Sequence, residues 1–221
     1  MKKFQWLYEH ALQHKGAELE SLLPKPISGS ALVAKSDNVL FSTLTRRVFH
    51  AGLKHSLVDS KWPAFEQALH GFDPYKVALM SDDQLENLMQ NDQIIRHWGK
   101  IKATRLNAVM MLEMAEKYGS CAQWIADWPE EDIIGLWREL KKNGSHLGGN
   151  SGAYFLRMIG KDTFVLTDDV VAALKALGIV DKRPTGKKDL QIVQNVFNEW
   201  RAESQRPLCH ISRLLSFTVG W

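Results

Sequence analysis

Apolar residues recur at spacings of three and four along most of this chain, as in FEQALHGFD (65–73) and SDDQLENLMQ (81–90). This spacing places apolar side chains on one face of an α-helix. The longest periodic segment begins at Lys100, and Gly119 is expected to end it. Only DTFVLT (162–167) has the short apolar pattern of a strand. We therefore predict an all-α protein, a bundle of about ten helices joined by short loops.

Local sequence signals indicate where several of these helices begin. Asp73 precedes Pro74, an order typical of an N-cap followed by proline at the first helical position. Ser81 with Gln84 has the spacing of a capping box. Two segments, 22–38 and 178–189, lack the helical period, and we expect connections or loops there.

A chain of 221 residues is long enough for one sizeable domain or two small ones. We predict a single unit that divides into two helical lobes, with limits at about residues 40 and 130. The second lobe joins the N-terminal segment to about residues 130–221, and it carries Asp168 and Asp169.

Composition restricts the class of protein only loosely. Apolar residues make up 45% and charged residues 24%, which is ordinary for a globular protein. The net charge of +3 permits nucleic acid as a partner without requiring it. Two cysteines without a CxxC pattern predict a cytoplasmic protein, and the lack of an apolar run of membrane-spanning length predicts no membrane partner. We also expect a monomer.

Glycines are concentrated in one stretch, LKKNGSHLGGNSGAYFLRMIG (140–160). Glycine permits positive φ and a close approach of the backbone to another group. A new helix beginning at Asn150 or Ser151 would present unpaired amides that can hold a phosphate. The alternative is a tight turn between two helices, in which the glycines serve packing. Four glycines lie within residues 143–152 of this stretch: Gly144, Gly148, Gly149 and Gly152.

Asp168 and Asp169 stand at the start of the next helical pattern. Each acid alone is explained by the helix dipole, which favours negative charge at a helix N-terminus. Their position after a glycine-rich hairpin and a helix makes them candidates for a functional carboxylate. With Asp168 at the helix start, Val171 and Leu174 fall on the inner face of that helix.

This order of hairpin, helix and acid resembles the helix-hairpin-helix DNA glycosylases, with SHLGGNSGA (145–153) in the place of the hairpin. Three further segments, AGL (51–53), FEQALHGFDPYKVA (65–78) and IIRHWGKIKATRLNA (94–108), resemble the bacterial 3-methyladenine DNA glycosylase I (Tag) family. The resemblance covers about residues 41–158. It implies the glycosylase fold, base excision repair, and removal of a damaged, in the first place alkylated, purine from duplex DNA.

The sequence departs from that family at its metal site and its base pocket. The family's zinc is held by two Cys and two His, but this chain has no N-terminal cysteine, and Cys209 and His210 are adjacent. We expect no metal and no other cofactor. The family's pocket glutamate falls on Arg47, and its pocket tryptophan falls on His55. A carboxylate pairs with a cationic methylated purine and an arginine does not.

The resemblance implies roles for the remaining candidates. A carboxylate, Asp168 or Asp169, would stabilise the cationic sugar and orient water. Ser151 occupies the position of the nucleophilic lysine of the bifunctional enzymes, which predicts a monofunctional, water-using enzyme. Leu53 would fill the gap left by a flipped base, unless it packs in the core. The base pocket would comprise Arg47, His50, His55, Trp6 and Tyr8, and the DNA contacts would comprise Leu53, Lys142, His146, Gly148, Gly149, Asn150 and Ser151.

Two functions fit this pattern. One is the monofunctional glycosylase, and its partner is duplex DNA that contains a damaged base. The other is a non-catalytic helix-hairpin-helix protein that binds DNA and has lost the chemistry. The arginine at position 47 favours the second, and the aspartates at 168 and 169 favour the first.

Overall fold

A computed structural model describes residues 2–219. These residues form fourteen α-helices and three short 3-10 helices, with no strand among them, so the predicted all-α class is confirmed. The 3-10 helices span Gly16–Leu22, His70–Phe72 and Glu130–Asp132. The α-helices are α1 Phe4–Lys15, α2 Gly29–Val33, α3 Asp37–His50, α4 His55–Ser60, α5 Trp62–Ala68, α6 Pro74–Ala78, α7 Asp82–Leu88, α8 Trp98–Tyr118, α9 Cys121–Asp127, α10 Ile133–Asn143, α11 Ser151–Ile159, α12 Asp168–Ala176, α13 Lys187–Ser204 and α14 Leu208–Ser216.

The structure confirms the predicted starts of α6 and α7 and the predicted end of α8. The Asp73 carboxylate accepts the amides of the first turn of α6. Ser81 and Gln84 form both hydrogen bonds of a capping box at α7. The 21-residue helix α8 ends at Gly119, whose φ of 87° suits glycine.

The helices outnumber the predicted ten because several are too short to show a period. Helix α2, of five residues, lies inside segment 22–38, where Ser28 caps it. Helices α4 and α6 have six and five residues. A helix of one or two turns contains too few apolar positions for a 3.6-residue period to be recognised.

DTFVLT (162–167), the one short candidate for a strand, does not form a strand. Its residues 162–166 are buried, but the described part of the chain offers no second strand to pair with them. Side chains meet some of its backbone groups instead: Thr163 Oγ1 donates to the Phe164 carbonyl, and Arg183 donates to the Leu166 carbonyl. Burial without a partner strand leaves an extended connection between α11 and α12.

The described chain divides into two compact units. The terminal unit comprises residues 2–27, 129–136 and 160–219, and the central unit comprises residues 28–128 and 137–159. Hairpin residues 144–151 lie in the central unit, whereas the sequence analysis placed the hairpin with the C-terminal lobe. Asp168 and Asp169 lie in the terminal unit.

Aromatic side chains fill the core of each unit. In the terminal unit, the Phe164 and Phe197 rings stack at 4.2 Å, and the indole N–H of buried Trp200 donates to the Lys2 carbonyl. In the central unit, the Trp62 and Phe72 rings stack at 5.1 Å. Helix α3 packs there against α8 and α11. No described helix has the length and apolarity to cross a membrane.

Gly160 provides a test of this packing in the terminal unit. Its φ is +95°, and a Cβ there would lie 2.7 Å from the Ile27 side chain. We expect Gly160→Ala to lower the free energy of unfolding by about 2–4 kcal/mol, because strain and overpacking add. Gly178, with φ +67° and open space around its Cβ position, is the control, and Gly178→Ala should cost about 1 kcal/mol. Equal losses in urea denaturation would contradict the packing role of Gly160.

Candidate functional site

The glycine-rich hairpin is a turn between α10 and α11. Helix α10 ends at Asn143, and the Gly144 amide still donates to the Leu140 carbonyl. His146 and Gly149 both have positive φ, 60° and 57°. Helix α11 begins at Ser151, and the Asn150 carbonyl accepts the Tyr154 amide. The sequence left open whether Asn150 or Ser151 caps this helix. Asn150 takes the N-cap position, and Ser151 is the first helical residue.

The four glycines serve different purposes. A Cβ on Gly144 would lie 2.6 Å from Leu147 Cδ1, and a Cβ on Gly152 would lie 3.1 Å from the Leu147 carbonyl oxygen, so both serve packing. Gly149 is required by its positive φ. A Cβ on Gly148 would make only ordinary contacts with the Lys141 side chain, at 3.7 Å or more. Neither packing nor backbone strain accounts for Gly148.

A buried asparagine that the sequence analysis did not single out holds the hairpin in place. Asn107, fully buried in α8, accepts the Ser145 amide at 2.7 Å and donates to the Ser145 carbonyl at 3.0 Å. Both hydrogen-bonding groups of one hairpin residue are therefore fixed by one side chain. The signal in the sequence was an asparagine at an apolar position of the α8 period.

The predicted DNA contacts on the hairpin differ in exposure. Lys142, His146 and Gly149 are exposed, and the hydroxyl of Ser145 lies 3.1 Å from His146 Nδ1. Gly148 and Asn150 are half-buried. Ser151 is buried, with its amide donating to the Gly148 carbonyl. The roles of these residues in DNA binding remain predictions.

Arg47 lies in a cluster of basic side chains in the central unit. Its guanidinium carbon is 4.6 Å from the centre of the Tyr154 ring. The side chain is half-buried, and this burial lowers the pKa of Arg47. Its Nε atom is buried without a hydrogen-bond partner. Lys100 and His50 are close enough for the Arg47 charge to lower the pKa of each.

His50 and His55 are brought together as the sequence analysis grouped them. Their rings stack at 4.1 Å, and His50 Nε2 is 2.9 Å from Asp59 Oδ1. Burial is the main cause that lowers the pKa of His50, and the hydrogen bond to Asp59 acts in the opposite direction. His55 is exposed, whereas the His50 side chain is only 10% exposed.

Lys100 fixes the turn that carries Leu53. Its amine, buried at the start of α8, donates to the Phe49 carbonyl at 3.1 Å and to the Ala51 carbonyl at 2.5 Å. Burial, followed by the charge of Arg47, lowers the pKa of Lys100. Leu53 itself is half-buried, which leaves both the wedge and the packing interpretations open.

Asp168 and Asp169 occupy the first turn of α12, and Thr167 is the residue that caps it. Both carboxylates are exposed, and Arg183 forms an ion pair with Asp168 while also donating to the Leu166 carbonyl. Val171 and Leu174 are buried, as the predicted helical phase requires. In this structure neither aspartate is desolvated.

Trp6 and Tyr8 contact other side chains of the terminal unit. The Trp6 ring lies 3.9 Å from the His10 ring. The Tyr8 hydroxyl donates to Glu20 at 2.9 Å, and the Arg206 guanidinium lies 5.0 Å from the Tyr8 ring while pairing with Glu20.

The residues present do not fit a zinc site. Cys209 Sγ and His210 Nε2 lie 3.8 Å and 2.8 Å from the same Pro24 carbonyl. Cys121 is buried in the central unit, and this burial raises its pKa to about 12. Among residues 2–219, no group of three or more His, Cys, Asp or Glu is placed to hold a metal ion.

Comparison with known proteins gives matches over most of the chain. Residues 31–185 match the family described as methyladenine glycosylase. The chain is 39% identical over 77 residues to the DNA-3-methyladenine glycosylase 1 of Escherichia coli, an alignment that covers 35% of this chain and 41% of that protein. The chain therefore spans about two fifths of the length of this curated relative.

The chain is also similar to solved structures of DNA glycosylases. A 3-methyladenine DNA glycosylase I (TAG) is 26% identical with a TM-score of 0.50, over 65% of this chain and 86% of that one. The 8-oxoguanine DNA glycosylase of Methanocaldococcus jannaschii has a TM-score of 0.61 at 14% identity, over 96% of this chain and 92% of that one. At this low identity the second likeness concerns the fold alone.

Asn107 provides a test of how the hairpin is held. We expect Asn107→Leu to lower the free energy of unfolding by about 1–3 kcal/mol, because the part-buried amide and carbonyl of Ser145 lose their partners. Exchange of the Ser145 amide hydrogen should become faster in the same variant. Asn87, exposed on α7, is the control, and Asn87→Leu should change stability by less than about 0.5 kcal/mol. Unchanged exchange at Ser145 would refute the role of Asn107.

Proposed function

Because this chain belongs to the methyladenine glycosylase family, we propose that it is a monofunctional DNA glycosylase that removes a damaged purine from duplex DNA. The match over residues 31–185 carries this proposal, since it includes the Arg47 cluster, the hairpin and both aspartates. The names of its relatives point to 3-methyladenine, an alkylated purine, as the first base to test.

The hairpin supports binding to the DNA backbone. Its exposed side includes His146 and Gly149, next to the exposed Lys142 at the end of α10. Backbone amides at the start of α11 and this lysine suit a phosphate, whose binding positions the duplex without reading its sequence. Asn107 keeps the hairpin backbone in one conformation before DNA arrives.

The proposed reaction is hydrolysis of the N-glycosidic bond. The base leaves with the bonding electrons, positive charge develops on the sugar, and water adds to C1′. The proton that this water loses is taken up by the departing base or, where the base was cationic, by the solvent. A carboxylate beside the sugar stabilises that charge and orients the water, the role we assign to Asp168 or Asp169. Exposed carboxylates serve this purpose only when DNA covers them, because water screens their charge in the free protein.

The serine at position 151 supports hydrolysis by water, without a covalent intermediate. A lyase step needs an amine that attacks C1′ and forms a Schiff base, and Ser151 has a buried hydroxyl instead. We propose that the product is an abasic site with an intact strand, that the enzyme acts as a monomer in the cytoplasm, and that no cofactor takes part.

The contacts of Asp168 and Arg47 favour a second function, which is DNA binding without release of a base. Asp168 forms an ion pair with Arg183, and position 47 carries an arginine in the Tyr154 contact. A protein with these features could bind duplex DNA through the hairpin and release no base. The two functions are separated by whether an abasic site forms.

The first test uses duplexes that each carry one 3-methyladenine, 7-methylguanine, hypoxanthine or uracil, followed by alkaline cleavage of abasic sites. We expect strand breaks on at least one purine lesion. Replacing the catalytic aspartate, by Asp168→Asn or Asp169→Asn, should lower the single-turnover rate by about 10²- to 10⁴-fold. Asp181→Asn, an exposed aspartate of the same unit, is the control and should keep the full rate. Binding without cleavage of any lesion would leave the non-catalytic function, and full rates in both test variants would exclude these aspartates.

Gly148 provides a test of the phosphate contact. Because a Cβ fits at Gly148 without a clash, Gly148→Ala should fold normally and still place a methyl group in the path of the duplex. We expect weaker binding to all duplexes, damaged or not, measured by fluorescence anisotropy. Gly29→Ala, in the same unit with open space around the Cβ position, is the control. Equal affinities of the two variants would show that Gly148 does not contact the duplex.

A further inference from the structure

Among the residues that the structure describes, no acid neutralises the positive charge of Arg47. The groups that interact electrostatically with it are Tyr154, His50 and Lys100. Asp59 is the acid of this cluster, but it is hydrogen-bonded to His50 at 2.9 Å and lies 4.0 Å from Arg46. Within residues 2–219, the Arg47 guanidinium has the Tyr154 ring as its contact, and its Nε atom has no hydrogen-bond partner.

Such an arrangement is unfavourable for folding alone. A guanidinium stays charged at any pH that proteins experience, so it cannot escape burial by losing a proton. Its contact with an aromatic ring offsets only part of the cost of withdrawing an unpaired charge from water. The second cation, Lys100, is also buried, and its hydrogen bonds go to neutral carbonyls. A ligand with acceptor atoms would pair with this charge through the exposed part of the half-buried guanidinium.

The shape of the guanidinium restricts what this ligand can be. Its N–H groups form a rigid planar fork that matches two adjacent acceptors. On a purine, the carbonyl oxygen O6 and the ring nitrogen N7 are such a pair. A purine that is methylated at N7 has lost one acceptor and gained a positive charge, so both Arg47 and Lys100 would repel it.

We propose that Arg47, held against Tyr154, binds a neutral purine lesion through adjacent O6 and N7 acceptors and disfavours cationic alkylated purines, an assignment that rests on the proposed glycosylase function. Hypoxanthine is the simplest such lesion. Normal guanine has the same two acceptors, but it is held in a stable base pair, whereas extrusion from the helix costs less for a mispaired base.

The test compares duplexes with hypoxanthine and with 7-methylguanine, which share O6 and differ at N7 and in the 2-amino group that only 7-methylguanine carries. Each lesion is placed on a 2′-fluorinated sugar, because the fluorine disfavours the cationic sugar and keeps the base attached during a binding measurement. We expect the protein to bind the hypoxanthine duplex about tenfold or more tightly than the 7-methylguanine duplex. Arg47→Gln should remove most of this preference, and Arg47→Glu should reverse it, because a carboxylate attracts the cationic base.

Arg46 is a matched control. It neighbours Arg47 in the chain and likewise has an aromatic contact, 4.7 Å from the Trp62 ring, and an Nε atom without a hydrogen-bond partner. The difference is an acid, because Arg46 Nε lies 4.0 Å from Asp59 Oδ1. Arg46→Gln should therefore keep the preference between the two lesions. Removal of an unpaired buried charge does not threaten folding, and thermal unfolding of Arg47→Gln should occur at or above the wild-type temperature.

Two results would overturn the assignment. One is equal binding of the two lesions by the wild-type protein. The other is a loss of affinity in Arg47→Gln that is the same for every duplex, undamaged DNA included, with a smaller salt dependence, as expected of a phosphate contact.

Base release from the same sequences with ordinary sugars separates this assignment from the proposed function. Selective binding of hypoxanthine without release of any base would support the role of Arg47 and contradict the glycosylase function. Faster release of 7-methylguanine than of hypoxanthine would support the glycosylase function and contradict the role of Arg47.

Discussion

Two buried polar side chains on helix α8 position the candidate residues of the central unit. Lys100 donates to the backbone carbonyls at the end of α3, and Asn107 forms both hydrogen bonds with Ser145 in the hairpin. They lie about two turns apart and therefore on the same side of the helix. A polar group buried at such a depth is stable only when it is hydrogen-bonded, so each holds its loop in a single conformation. The turn that carries Leu53 and the hairpin both depend on this one helix.

The hairpin and the Arg47 cluster would bind acceptor atoms of a ligand in different ways. The hairpin relies on backbone groups, and its glycines are divided between packing, positive φ and, at Gly148, free space. The Arg47 cluster relies on fixed side-chain charge in a partly desolvated place, where electrostatic interactions are stronger than at the surface. Backbone amides suit a phosphate at any position along the DNA. A desolvated guanidinium fork suits a particular pair of acceptors.

Several features were predictable from local sequence because they depend on neighbours along the chain. The caps at Asp73 and Ser81 and the end of α8 at Gly119 are formed within single turns of helix, and all three were predicted. The short helices α2, α4 and α6 were missed because they have too few residues to show a period. DTFVLT had the pattern of a strand but does not form one, because an apolar run does not show whether a partner strand exists.

By itself the sequence determined the helical class, the main caps, the likeness to methyladenine glycosylases and the presence of arginine at position 47. These follow from periodicity, from local hydrogen bonding and from residue identity. The tertiary structure alone decided that Asn107 holds Ser145 and that Arg183 pairs with Asp168. It also decided that Arg47 has an aromatic ring beside it and, within the described part of the chain, no acid. Those contacts join residues that are distant in the chain, and the local sequence does not show which distant residues are in contact.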